Sequence, residues 1–89
     1  MEYRRFGNTI YLRLDPKEEI LEEIGKVAEK ENIRLAQVTG LGAINDFTAG
    51  VYNTVTKEYH SIQFQGAYEI VSLTGTVTRK DGDVYLHLH

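Results

Sequence analysis

The stretch that decides the fold is residues 74–89, TGTVTRKDGDVYLHLH. At its centre, Asp81-Gly82 is typical of a two-residue hairpin loop, because both residues tolerate the positive φ angles of such a turn. This loop sets the cross-strand partners as Arg79 with Val84, Val77 with Leu86, Gly75 with Leu88, Thr76 with His87 and Thr74 with His89. Apolar residues then meet apolar residues on one face, and polar residues meet polar residues on the other, which supports the register.

The returning strand carries two histidines at alternate positions, His87 and His89. Side chains alternate faces along a strand, so both imidazoles project from one face, with their Cα atoms about two ~3.3 Å rises apart. Two rings at that spacing can converge on one cation, and we predict that His87 and His89 bind a divalent metal, with zinc the expected ion. A zinc site has four ligands, or three and a water. The pair is therefore an incomplete site, whose third ligand comes from elsewhere or is missing.

The register also predicts the surroundings of the two histidines. They share a polar face with Ser72, Thr74, Thr76 and Tyr85. Glu69 is three positions from Ser72, so its side chain is expected on the opposite face of the strand, and we do not predict it to be a ligand. The sequence leaves open a simpler reading, in which the two histidines only face solvent.

Composition bounds the class of protein. The chain has 89 residues, of which 42% are hydrophobic and 26% charged, typical of one small globular domain. Such a domain buries only roughly 60% of its unfolded surface, so partner subunits are an expected source of further burial. The absence of cysteine excludes disulfides and thiolate sites. No apolar stretch approaches the ~18 residues of a membrane span and no signal peptide is evident, so we expect a cytoplasmic protein.

The charge balance argues against a nucleic-acid surface. The formal net charge is −3, whereas phosphate binding relies on clustered Lys and Arg. Arg4, Arg5 and Arg13 form the only local excess of basic residues, and a solvated strand edge accounts for them.

A helix is predicted after a first strand over residues 8–14. Asp15 is the expected N-cap, Pro16 the first helical residue, and Glu18 completes a capping-box arrangement. The helix is expected to run to about Glu31, with Gly25 marking a close approach to a strand. Its apolar stripe consists of Ile20, Leu21, Ile24, Val27 and Ala28.

The rest of the chain predicts further strands, at 33–39, around Phe47–Tyr52, at 58–64 and at 68–79, with a turn over 53–57. The glycines of Gly40-Leu41-Gly42-Ala43 are expected to permit positive φ or a close backbone crossing; a dinucleotide site would need a third glycine and a helix. We therefore predict an α+β fold, a small single domain with a mainly antiparallel sheet and one helix packed on it. An open strand edge would favour self-association.

Four segments resemble the plant and prokaryote conserved (PPC) domain, which occurs in stand-alone prokaryotic proteins and in plant AT-hook proteins. They are Asp15–Glu19, Gln37–Ala43, Tyr68–Gly75, and Lys80-Asp81-Gly82 followed by Leu86-His87-Leu88-His89. The resemblance covers residues 1–89 and implies an α+β fold that assembles as a homotrimer. It also implies that His87 and His89 contribute to a metal site, as in some prokaryotic members.

In those relatives the chain continues past the His-Leu-His, with more strands and a Gly-Gly-His segment that would supply the third ligand. The resemblance thus implies that residues 1–89 form a single PPC-like domain without the family's C-terminal strands. The Arg-Gly-Arg-Pro AT-hook of the plant proteins is absent from this sequence.

Three functions follow from these observations. The leading hypothesis is an oligomeric binding and assembly module with a partial histidine metal site at His87 and His89. The alternatives are a DNA-binding or transcription-associated protein, and a metal-dependent hydrolase in which the metal lowers the pKa of a bound water. No general base can be identified, so an enzyme is the less favoured reading.

Overall fold

The computed structural model describes residues 1–89 as five strands and one helix. The strands are β1 Glu2–Phe6, β2 Thr9–Arg13, β3 Ala36–Asn53, β4 Glu58–Lys80 and β5 Asp83–Leu88, and the helix is α1 Ile20–Lys30. The sheets are mostly antiparallel and hold 64% of the residues, which confirms a small α+β domain with a minor helical part. β1 pairs with β2, and a second sheet has the order β3-β4-β5.

Within this domain the chain divides into two compact units. The first contains residues Met1–Val38 and Thr74–His89, and the second contains Thr39–Leu73. The first unit holds the helix, the β1–β2 pair and the β4–β5 hairpin. The second unit consists of residues 39–53 of β3 and 58–73 of β4, with the turn that connects them.

The β4–β5 hairpin has the register predicted from sequence. Arg79 pairs with Val84 and Gly75 with Leu88, and backbone hydrogen bonds of 2.9 and 2.7 Å join Thr74 and His89. The loop residues have φ angles of 54° at Asp81 and 87° at Gly82, the positive values that the Asp-Gly pair predicted. The two residues of the turn were therefore enough to predict which residues pair along this hairpin.

Gly75 is required by the close approach of β5. A Cβ atom at this position would overlap the backbone carbonyl of His87 and come within 2.7 Å of the Leu88 side chain. Gly25, in contrast, has no atom within 4 Å of the site of its missing Cβ. The prediction that Gly25 marks a close approach was wrong. Close approaches occur instead at Gly75 in the hairpin and at Gly50 in β3, where a Cβ atom would overlap the His60 carbonyl.

The start of the helix also differs from prediction. Asp15 is not the N-cap; the cap is Glu19, whose carboxylate accepts a 2.6 Å hydrogen bond from the Glu22 amide. The cause is Lys17, whose φ of 74° is incompatible with a helix. Asp15 and Glu18 instead close a turn, in which the Glu18 carboxylate accepts the Asp15 amide at 2.6 Å. The predicted end near Glu31 is correct, because Glu31 is the C-cap.

Few side chains are fully shielded from water. The buried hydrophobic residues are Val27 and Ala28 of α1 and Val77 of β4, and α1 contacts β5. Of the predicted apolar stripe of the helix, Leu21 is instead 46% exposed. Because the apolar core is this small, we expect polar contacts to contribute much of the stability of the first unit.

Arg79 makes the most extensive of these polar contacts. Its guanidinium donates to the carbonyls of Ala28 and Ile33 near the helix C-terminus, at 3.3 and 2.9 Å. It also donates to the Gly82 carbonyl in the hairpin turn at 3.2 Å and pairs with the Glu29 carboxylate at 3.0 Å. The side chain is only 13% exposed, so its hydrogen bonds are poorly replaced by water. One side chain thereby joins the helix end to the hairpin.

A second polar link joins β1 to the helix C-terminus through Glu31. Its carboxylate accepts hydrogen bonds from Arg5 at 3.2 Å and from the Tyr3 hydroxyl at 3.0 Å. The Arg5 guanidinium, with help from Tyr3, lowers the pKa of the Glu31 carboxyl below its usual value. The link is therefore strongest where Glu31 is ionised and is lost as the pH falls through that lowered pKa.

β3 and β4 are each one continuous strand, whereas the sequence predicted two shorter strands in each place. The interruptions are single residues with positive φ that redirect the backbone without ending the strand: Gly42 at 145°, Asp46 at 38° and Gly66 at 112°. The Asp46 carboxylate accepts the Gly66 amide at 3.2 Å, which joins two of these positions. The positive φ expected in the Gly40–Gly42 segment is confirmed at Gly42, and the turn over 53–57 is confirmed by Lys57, with φ of 61°.

We expect the two glycines to respond oppositely to alanine. Gly75→Ala should lower the free energy of unfolding by about 1–3 kcal/mol, because the methyl group must displace the β5 backbone. The matched control Gly25→Ala should raise it by about 0.5–1 kcal/mol, because alanine favours the helix and meets no neighbour. Chemical denaturation of both variants measures this; an equal effect at the two sites would contradict the close approach of β5 to Gly75.

We also expect Arg79 to dominate the stability of the first unit. Arg79→Ala should destabilise the chain by about 1–3 kcal/mol, because the half-buried Ile33 carbonyl loses a donor and the Ala28 carbonyl keeps only the Ile33 amide. Arg79→Lys should recover only part of this loss, because the ammonium group of lysine cannot present several donors in the fixed directions of the planar guanidinium group. Arg34→Ala is the control, because Arg34 is exposed and forms no ion pair. Urea denaturation tests the order, and similar midpoints for the Arg34 and Arg79 alanine variants would refute it.

Candidate metal centre

The two histidines lie on the exposed face of β5. Leu86 and Leu88 alternate with them and are half-buried, whereas His87 and His89 are exposed. Thr76 stands opposite His87 across the hairpin, and the Thr74 backbone is hydrogen-bonded to His89. The strand alternation and the hairpin register thus place both imidazoles on one polar, accessible face.

The two rings approach each other edge to edge. Their Nε2 atoms are 2.9 Å apart, and the ring centroids are separated by 4.9 Å with the planes inclined at 43°. In the neutral tautomers, one Nε2–H donates to the other Nε2 at this distance. Two nitrogens bound to one tetrahedral zinc are about 3.3 Å apart, so a small rotation of the rings would suit a shared metal. The pair therefore fits two of the positions of a zinc site.

The pair has no further ligand nearby. No group of three or more His, Asp or Glu side chains in the 89 residues is arranged to hold a metal ion. The third histidine of the chain, His60, lies in the second unit, on β4. Two imidazoles supply half of a tetrahedral site, and no carboxylate accompanies them as a general base.

The basic residues near the N-terminus form ion pairs. Arg5 pairs with Glu31 at 3.2 Å, and Arg13 pairs with Glu2 at 3.4 Å and with Asp15 at 3.5 Å. These contacts agree with the predicted solvated strand edge. Guanidinium groups engaged in this way are less available to phosphate than free ones would be.

The sequence analysis missed the exposed apolar side chains between Thr39 and Leu73. No residue in this segment is buried, and Leu41, Val55 and Val71 are each more than four-fifths exposed. Apolar residues alternate along β3 and β4, and this pattern predicts strands without showing whether their apolar faces are covered. The helix α1 is not long and apolar enough to cross a membrane.

Comparison with known proteins identifies the family. The model of the Plants and Prokaryotes Conserved (PCC) domain matches residues 1–89. The chain belongs to this family. The resemblance drawn from the sequence motifs is thereby confirmed for the PCC domain, also written PPC. No curated protein matches the chain.

Three solved structures resemble this PCC domain. One, from Bacteroides thetaiotaomicron and named a "putative DNA binding protein", has 30% identity and a TM-score of 0.91 over 98% of the chain. A PPC protein of Pyrococcus horikoshii has 35% identity and a TM-score of 0.82 over 86% of the chain. A metal-containing protein of Archaeoglobus fulgidus has 31% identity and a TM-score of 0.83, also over 86%. The chain spans 61%, 54% and 55% of the lengths of these three proteins.

Proposed function

We propose that this PCC domain is an oligomeric binding and assembly module that carries a divalent-metal half-site at His87 and His89. The observation that carries the proposal is the 2.9 Å approach of the two Nε2 atoms on an exposed strand face. Zinc is the expected ion, because it accepts imidazole nitrogen and tolerates water in its remaining positions. Bound zinc would link the two imidazoles and present open positions to donors from another molecule.

The backbone supports the pair independently of any metal. Hydrogen bonds from Thr74 to His89 in both directions fix the end of the hairpin, and Gly75 lets β5 lie close to β4. The rings need only side-chain rotation to receive an ion, so little ordering entropy opposes binding. The metal-containing relative from Archaeoglobus fulgidus, at 31% identity, supports a metal in this domain as well.

Zinc titration of the chain tests the half-site. We expect His87→Ala and His89→Ala each to weaken zinc binding about tenfold or more, because either change leaves a single imidazole. His60→Ala is the matched control and should leave the affinity unchanged, since His60 lies in the other unit. Isothermal titration calorimetry gives the affinity and the number of ions per chain.

The double variant His87→Ala/His89→Ala decides the assignment. If it binds zinc with the affinity of the original chain, the half-site does not exist. If His60→Ala abolishes binding instead, the metal site lies elsewhere on the chain.

DNA binding is the second candidate function, and the relative from Bacteroides thetaiotaomicron is the observation that favours it. The net charge of −3 and the ion pairs of Arg5 and Arg13 oppose it. We expect no binding of a short duplex by fluorescence anisotropy at about 50 mM salt, where phosphate contacts are strongest. Binding that weakens steeply toward about 200 mM salt would instead support the DNA-binding reading.

A further inference from the structure

One face of the β1–β2 hairpin is exposed along its whole length. Cross-strand partners share a face of an antiparallel pair, and alternate residues along each strand return to the same face. The face that contains the partners Arg4 and Tyr11 therefore consists of Glu2, Arg4, Phe6, Thr9, Tyr11 and Arg13. All six residues are exposed, and we call them the outer face of the hairpin.

The opposite face of the hairpin attaches it to the rest of the first unit. Tyr3, Ile10 and Leu12 lie on this face and are half-buried. The Tyr3 hydroxyl donates to the carboxylate of Glu31, the C-cap of the helix, at 3.0 Å. The hairpin is thus anchored from one side, and the outer face has no such contact within the chain.

Two aromatic rings of the outer face lie in water. Phe6 is 61% exposed and Tyr11 is 68% exposed. Their centroids are 6.1 Å apart and their planes are inclined at 70°, so the rings meet edge to face. Exposed aromatic side chains that already contact each other form a rigid apolar platform. Aromatic residues are enriched at protein interfaces and among the residues that contribute most to binding.

Beside these rings stands an arginine without a carboxylate partner. Arg5, Arg13 and Arg79 each form an ion pair, whereas Arg4 forms none. Arg4 is the direct cross-strand partner of Tyr11, so its side chain lies next to that ring. Two arginines and one glutamate give the outer face a formal charge of +1, on a chain whose net charge is −3. The outer face therefore attracts an anionic group.

The shape of the outer face suits a side chain of a larger partner. A depression of about 230 Å³ lies there, and all of its lining residues except Tyr3 belong to the outer face. Pockets for small molecules typically enclose roughly 300–1,000 Å³ and bury most of the ligand. This depression is smaller and open to water, so it does not enclose a ligand of that kind.

We propose that the outer face of the hairpin binds an extended acidic segment of another protein. A carboxylate of the segment pairs with Arg4, whose guanidinium can donate two parallel hydrogen bonds to it. An aromatic side chain of the segment packs on Phe6 and Tyr11 and removes their exposed area from water. The proposal extends the binding role of this PCC domain and does not depend on the metal half-site.

Two other occupants match the outer face less well. Binding of nucleic-acid phosphates relies on several clustered cations, whereas Glu2 lies in this face and already pairs with Arg13. A second copy that met the same face would bring two further arginines to the contact, and like charges at an interface are costly. A partner with a carboxylate and a ring complements both features of the face.

Three labelled peptides of equal length test the proposal by fluorescence anisotropy. The first alternates glutamate with phenylalanine, the second glutamate with serine, and the third lysine with phenylalanine. We expect the glutamate–phenylalanine peptide to bind at least about tenfold more tightly than the other two, because it alone supplies both carboxylates and rings. Equal binding of the three peptides, or no binding of the first at about 1 mM chain, would overturn the proposal.

Charge reversal at Arg4 has a matched control at Arg34, which is exposed, forms no ion pair and lies outside the hairpin. Arg4→Glu should weaken binding of the glutamate–phenylalanine peptide about tenfold or more, and Arg34→Glu should leave it unchanged. Phe6→Ala should also weaken it, because the platform loses a ring. Equal losses from the two charge reversals would show an effect of net charge alone and would remove the site. Circular dichroism checks that each variant is folded.

Nuclear magnetic resonance of the unaltered chain provides a second measurement if a variant fails to fold. When the glutamate–phenylalanine peptide is added, the ring resonances of Phe6 and Tyr11 should shift. The ring of Tyr85 on β5 is 46% exposed and should not respond. Shifts of Tyr85 without shifts of Phe6 and Tyr11 would place the peptide elsewhere and contradict the proposal.

Two further outcomes would replace the proposed partner. If a single-stranded oligonucleotide binds more tightly than the peptide and Arg4→Glu abolishes that binding, the partner is a nucleic acid. If Arg4→Glu lowers the mass of an oligomer of the chain in light scattering, the outer face is a contact between copies. Either result overturns the acidic segment as the partner. Neither affects the zinc titration of His87 and His89, so the two proposals fail separately.

Discussion

The guanidinium of Arg79 is the interaction on which the first unit depends. It reaches the carbonyls of Ala28 and Ile33, the Gly82 carbonyl of the turn and the Glu29 carboxylate, and only 13% of the side chain is exposed. A helix C-terminus leaves carbonyls without intrahelical donors. The Ala28 carbonyl accepts both the Ile33 amide and Arg79, whose positive charge also complements the helix dipole. With so few buried hydrophobic residues, we expect this contact to contribute more to stability than a single arginine does in a larger domain.

The same hairpin determines where the histidines stand. A shift of one residue in the pairing of β4 and β5 would turn His87 and His89 to the buried face and expose Leu86 and Leu88. The positive φ angles at the turn and the glycine at position 75 both oppose such a shift. The geometry of the candidate metal centre is therefore a consequence of turn chemistry and strand pairing, and no contact between the histidines is needed to produce it.

The sequence predicted a structural feature correctly where a few neighbouring residues determine that feature. The register of the hairpin followed from two adjacent residues, and the Asp-Gly loop has few conformational alternatives. The predicted helix start was wrong. Asp15 and Pro16 are typical of a helix cap, but Lys17 adopts a left-handed conformation, which is uncommon for lysine and could not be predicted from its residue type. The contacts of Arg79 could not be foreseen, because three of its acceptors are backbone carbonyls, which leave no trace in the sequence.

The faces of β3 and β4 show a different limit. Alternation predicts that one face of β3 carries Phe47, Ala49 and Val51. It predicts that one face of β4 carries His60, Ile62 and Phe64, but it does not say whether the two faces are the same. The stacking of Phe47 on Phe64 answers that question, because it shows that the two faces are the same. This contact depends on how β3 and β4 pair, which alternation alone does not give. Only then does a series of apolar residues become a continuous surface.

The metal affinity and selectivity of the candidate centre are limited by the number and type of its ligands more than by the spacing of the two rings. The Nε2 separation of 2.9 Å lies near the value for two ligands on one zinc, and the backbone around Thr74 and His89 is held by two hydrogen bonds. Because the strand is fixed, the spacing of the rings changes only through their side-chain torsions, and this favours a small ion with flexible coordination. Two imidazoles cannot by themselves discriminate strongly among divalent metals. The donors that complete the site would therefore decide both the affinity and the choice of metal.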